Sequence, residues 1–189
     1  MLKKIIKKIL NRFSYKIISN NDWNAKVENL IVEATKEDLQ EFKKIDEISL
    51  TSYPNRWSLI QSLKYIEENN ISGEIVETGV YKGANLILIN NFLTKSNIHK
   101  KIFAFDTYEG QPDPSEKDFD IKGTKMIEKF EVLKKKNITP VFCSLENVKQ
   151  NILNYSENNL EKIIFVKGKV EETLRSEKNL PNKISLLRL

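Results

Sequence analysis

From residue 73 onward the sequence alternates short apolar runs with stretches of helical periodicity, and that alternation restricts the fold more than any other feature. The apolar runs are Glu74 to Val80, Lys101 to Asp106, Ile163 to Lys167 and Ile184 to Leu189. Each is rich in β-branched or aromatic residues and has the length of a buried strand. Between them lie Ala84 to Leu93, Thr124 to Lys136 (Met126, Ile127, Phe130, Leu133) and Glu146 to Tyr155 (Val148, Ile152, Tyr155), with apolar residues at helical spacing. Strands joined through helices form a parallel sheet covered on both faces, because a parallel pair needs a crossover long enough to hold a helix. The expected fold class is α/β.

Two helices are predicted ahead of the sheet. Thr35 reads as an N-cap, with Asp38 at the third helical position, opening a helix that carries Leu39, Phe42 and Ile45. A second, from Trp57 to Glu68, is organised by Leu59, Leu63 and Ile66 and ends at the turn residues Asn69, Asn70 and Gly73.

A chain of 189 residues, 40% hydrophobic and 30% charged, is long enough for one domain with its own core. The single cysteine, Cys143, excludes an internal disulfide and a Cys-based zinc site, and is expected to be a small core residue. The net charge of +5 is concentrated in Lys3, Lys4, Lys7, Lys8, Arg12 and Lys16; the remainder holds 25 basic and 26 acidic residues. No basic stripe with exposed aromatics crosses that remainder, so nucleic acid is not an expected partner.

The basic residues belong to an amphipathic pattern in which Leu2, Ile5, Ile6, Ile9, Leu10 and Phe13 share one face of a helix. Lysine pairs interrupt every apolar run, which leaves neither a secretory core nor a membrane span of about 20 residues. Residues 1–20 therefore read either as an interfacial helix drawn to anionic lipid through residues 2–13 or, more commonly for such patterns, as a helix packed on its own domain or a partner. The expected location is cytoplasmic, at the inner face of the membrane if the first reading holds. Residues 21–72 read as a helical lid or cap, and 73–189 as the body.

The sharpest local signal is Glu77-Thr78-Gly79-Val80-Tyr81-Lys82-Gly83, which closes the first strand and opens the next helix. Gly79 lets the chain turn tightly and lets a ligand approach the backbone, and Gly83 allows a close strand-to-helix contact. The three-glycine dinucleotide fingerprint and the Gly-Lys-Ser/Thr phosphate loop are both missing, which favours a nucleoside without phosphates. The second strand ends in Asp106, where a carboxylate can accept from both hydroxyls of a ribose.

From Gly73 onward the chain resembles the macrocin O-methyltransferase family. GEIVETGVYKG, FAFDTYEGQPDP, DFDIKG, SLENVKQNI, IIFVKGKVEETL and ISLLRL follow in that family's order and approximate spacing. The resemblance implies a Rossmann-like class I methyltransferase fold, incomplete here, with a parallel sheet, flanking helices and an N-terminal helical lid region. The implied cofactor is S-adenosylmethionine. Glu77, Thr78, Gly79 and Gly83 would line its methionine and sulfonium side, and Asp106 would hold the ribose with Thr107 and Tyr108 beside it. Ser144, Gly168, Lys169 and Val170 would lie near the adenine, and Thr51 and Ser52 would close over the cofactor.

One departure accompanies the resemblance. In the family, the segment matching ISLLRL runs into an aspartate, and a second acidic pair follows the next strand; together they hold Mg2+, and one acid serves as base. Those ligands lie beyond Leu189, so residues 1–189 are expected to be a truncated chain, inactive alone and prone to self-associate through the exposed edge strand Ile184 to Leu189. No catalytic residue is assigned. His99 stands alone between a turn and Lys100, and Asp113, Glu116, Asp118 and Asp120 lack the spacing of a calcium loop, reading instead as a solvated flank.

The leading expectation is an O-methyltransferase whose acceptor is a small molecule or glycan hydroxyl, on a glycoside or polysaccharide. A non-catalytic module binding cofactor or a partner is the alternative from another class. Another α/β nucleotide enzyme acting on sugars is the third, against which the missing three-glycine loop counts.

Overall fold

The computed structural model describes Ile6, Leu10 and residues 31–136, 141–156 and 160–189. The amphipathic pattern of residues 2–13 falls outside them except at Ile6 and Leu10, which are both helical, and so does the polar joint at 20–24.

Helix α1 (Lys36–Lys44) begins at Thr35 with both halves of the capping box formed: the Asp38 N–H donates to Thr35 Oγ1 and the Thr35 N–H to the Asp38 carboxylate, each at 3.1 Å. A 3-10 turn at Asp46–Ile48 leads to α2 (Tyr53–Glu68), which starts four residues before the position predicted from its apolar pattern. Pro54 sits in its first turn, where the missing N–H is no loss and the fixed φ suits a helix.

Among the described residues there are four strands, β1 (Glu74–Thr78), β2 (Ile102–Asp106), β3 (Ile163–Lys167) and β4 (Ile184–Arg188). They form one parallel sheet in the order β3-β2-β1-β4. The crossovers contain α3 (Ala84–Lys95), α4 (Met126–Lys135), α5 (Leu145–Tyr155) and α6 (Val170–Thr173). β1 stops at Thr78 instead of Val80 because Gly79 turns away at φ +82° and the Val80 N–H leaves the ladder for a side chain of β2.

Alternation along the strands divides the core. Ile75, Ile102, Ala104 and Ile163 face a large cluster built with Phe42, Leu63, Leu86, Ile87, Val148 and Ile152, so α1, α2, α3 and α5 share one core with the sheet. Each of the larger side chains among them stabilises the fold by about 1.5–3 kcal/mol through its burial. Val76, Phe103, Phe105 and Val166 face the other way into a smaller cluster, joined by Ile164 and Leu180. Cys143 is buried, as expected of a small core residue. β4 pairs with β1 and is an edge of the sheet among the described residues, with Leu187 54% and Leu189 86% exposed. No helix among the described residues is long and apolar enough to cross a membrane.

Candidate cofactor site

The carboxyl ends of β1, β2 and β3 open onto a cleft of about 530 Å³. This is the side on which parallel α/β sheets bind ligands, since the turns leaving the strands present backbone N–H groups there. Of the residues selected from sequence, Thr78, Gly79, Asp106, Thr107, Gly168, Lys169 and Val170 line it together. Gln111 and Val141 close other sides, and a second hollow of about 440 Å³ continues past Thr107 and Gly168 toward Glu109 and Glu172.

Gly79 carries the opening. A Cβ built there meets no atom within 4 Å, so the space above its backbone is free for a ligand. Its N–H donates to Phe105 O at 2.9 Å, tying the turn to β2. Asp106 extends that tie: Oδ2 accepts from the N–H groups of Val80 (2.7 Å) and Tyr81 (3.1 Å), and Oδ1 from the N–H of Tyr108 (2.8 Å). Thr107 accepts the Glu109 N–H and donates to Gly110 O, closing the turn after β2. The Tyr108 side chain turns inward, where its hydroxyl donates to Ala104 O at 2.9 Å; burial pushes its pKa up.

The remaining sequence-selected residues do not line the cleft. Gly83 caps α3 at φ +85°, and a Cβ there would meet Val148 Cγ1 at 3.1 Å, so the close contact it permits is helix to helix rather than strand to helix. Ser144 caps α5, its Oγ accepting the Asn147 N–H at 3.2 Å. Ser52 is the N-cap residue of α2.

Glu77 lies beneath the turn, fully buried. Its Oε1 accepts from Arg188 Nη1 at 2.6 Å and from Asn85 Nδ2 at 3.1 Å, while Oε2 has no partner. Burial pushes its pKa up to about 7, against the pull of Arg188 and Asn85. Thr51 completes a polar chain by donating to Asn85 Oδ1 at 3.4 Å, which connects the start of α2 to the floor of the cleft. Sequence reasoning missed Asn85 and Arg188. The available signal was a polar residue at the head of the apolar run Leu86 to Ile89, and a lone cation ending a β-rich strand.

The acidic loop is tied to α4 and its start: Asp113 pairs with Lys134 at 2.8 Å, Glu116 with Lys125 at 3.1 Å and Asp120 with Lys129. The Lys129 contact holds Asp120 down at about 2. No group of three or more His, Cys, Asp or Glu among the described residues could hold a metal ion.

The family described as Macrocin-O-methyltransferase (TylF) matches residues 19–189. This chain belongs to the macrocin-O-methyltransferase family. Within it, the chain is similar to demethyldecarbamoylnovobiocin O-methyltransferase of Streptomyces niveus, 28% identical over 115 residues, which are 60% of this chain and 41% of that protein. It thus spans less than half the length of that relative. The solved structure of the O-methyltransferase NovP superposes with a TM-score of 0.59 at 23% identity, covering 74% of this chain and 54% of NovP, and shows the shared fold. The likeness to the calicheamicin methyltransferase CalS11, with a TM-score of 0.42 at 15% identity over 85% of this chain and 63% of that one, is too loose to carry an argument.

Proposed function

We propose that the cleft binds S-adenosylmethionine and that the protein serves methyl transfer to a hydroxyl of a small-molecule or glycan acceptor. The observation that carries this is the open backbone at Gly79, which faces a cleft of suitable volume in a chain of an O-methyltransferase family. A bound S-adenosylmethionine would supply an electrophilic methyl group on sulfur. Thr78 and Gly79 would hold its amino-acid side, Asp106 and Thr107 its ribose, and Gly168, Lys169 and Val170 would flank the adenine. Glu77 would act from below, by fixing Asn85 and Arg188. The absence of a phosphate-cradling loop favours this nucleoside over a dinucleotide. A divalent cation is expected of the family, but no residue set among the described ones fits it, so no step of this reading passes through a metal.

Titration calorimetry with S-adenosylhomocysteine and with NAD tests the reading. Binding of the first and not the second is the expected result; NAD binding alone, or no binding of either, would overturn it.

A further inference from the structure

We propose that Asp106 is a positioning residue that builds the turn over which the cofactor lies, and that its carboxylate reaches at most one ribose hydroxyl. The second half rests on the nucleoside reading above; the first does not. An ionised carboxylate offers about four acceptor positions on two oxygens. Three are taken by the N–H groups of Val80, Tyr81 and Tyr108 at 2.7, 3.1 and 2.8 Å, and the Thr107 hydroxyl, which has Gly110 O closer at 3.1 Å, stands 3.5 Å from the remaining side of Oδ1. Accepting both ribose hydroxyls, as the sequence pattern suggests, would require giving one of these up.

The residues that Asp106 holds are the ones that need holding. Tyr81 and Tyr108 have φ of +52° and +54°, the left-handed region in which a bulky side chain crowds the backbone. Such conformations persist where surrounding bonds over-determine them, and bonds to a charged acceptor are the stronger kind. Asp106 receives one N–H from each tyrosine, so a single side chain clamps the turn after β1 to the turn after β2. The Gly79 N–H bond to Phe105 O and the Tyr108 hydroxyl bond to Ala104 O fix both turns to the same strand. The opening above Gly79 keeps its shape through this clamp whether or not a ligand is present.

The test uses the whole 189-residue chain, first without ligand. Amide hydrogen exchange should show Val80, Tyr81 and Tyr108 protected at least tenfold relative to an unstructured peptide, and exchange at the unprotected rate would overturn the proposal. Asp106→Asn replaces one acceptor oxygen by a donor; it should lower the melting temperature by several degrees, with partial recovery when Tyr81→Gly is added, because glycine takes a positive φ without strain. An unchanged melting temperature would equally overturn it. With ligand, Asp106→Asn should weaken S-adenosylhomocysteine binding at least tenfold, and the same loss, within twofold, should persist on its 2′-deoxy or its 3′-deoxy form. If the loss disappears on both, the carboxylate serves the ribose alone and the proposal fails. If the wild-type chain binds no S-adenosylhomocysteine, the nucleoside reading fails, while exchange and melting still decide the clamp.

Discussion

The two walls of the cleft are built differently. The wall from β1 and β2 stands on hydrogen-bonded polar groups: the buried Glu77 and Asn85 with the half-buried Arg188 below, and the half-buried Asp106 with three backbone N–H groups above. The wall after β3 is α6, a helix of four residues with no buried residue and no side-chain cap; Lys169, which precedes it, and Val170 and Glu171 within it are exposed. Removing a partner from the first wall strands a buried donor or acceptor, whereas trimming the second removes surface that water replaces. One wall is therefore positioned in advance of any ligand, and the other is free to adapt to it.

The comparison is put at most risk by Glu77→Ala, which leaves Asn85 and Arg188 without their shared acceptor and opens a void under the turn. The expected cost is about 3–5 kcal/mol, the range for breaking a buried ion pair from one side, measured by urea unfolding. A loss under about 1 kcal/mol would mean that the first wall is no more determined than the second.

A pH series sharpens the same point. In the unfolded chain the Glu77 carboxyl loses its proton near 4.5; in the fold it holds it up to about 7 because it is buried. The folded pKa is raised, so this group's contribution to stability is complete below pH 4.5, declines as pH rises to 7 and is level above that. The expected decline is on the order of 3 kcal/mol, and Glu77→Gln should flatten it. A wild-type profile already flat across this window would show that Arg188 keeps Glu77 ionised throughout.

Gly83→Ala probes the joint between the first wall and the helices behind it. The residue sits at φ +85° with Val148 Cγ1 3.1 Å from the new methyl, so a cost of about 1–2 kcal/mol in thermal unfolding is expected. The smallest effect belongs to Lys169→Ala in the second wall: within about 0.5 kcal/mol in stability, because the side chain is exposed and the bonds that its residue makes to Glu172 and Thr173 are backbone ones.

Much of this protein was readable without coordinates. The strand-helix alternation, the Thr35–Asp38 capping box and the turn at Gly79 are properties of neighbouring residues, and local sequence encodes them through side-chain periodicity, capping chemistry and the freedom of glycine. Of the residues that line the cleft, Gly79 and Asp106 were legible for the same reason, since each stands at or just beyond the end of a strand, whereas Thr78, Thr107, Gly168, Lys169 and Val170 were reached through the family resemblance. The tertiary structure alone decided who meets whom. Arg188 reaches Glu77 across 111 residues because β4 lies against β1 with Arg188 and Glu77 in register. Asp106 spends its acceptors on Val80 and Tyr81 because β2 lies on the other side of β1. Strand order and register are set by burial of the whole sheet, and the partners of a polar group at a strand end follow from them, so no local pattern could name those partners.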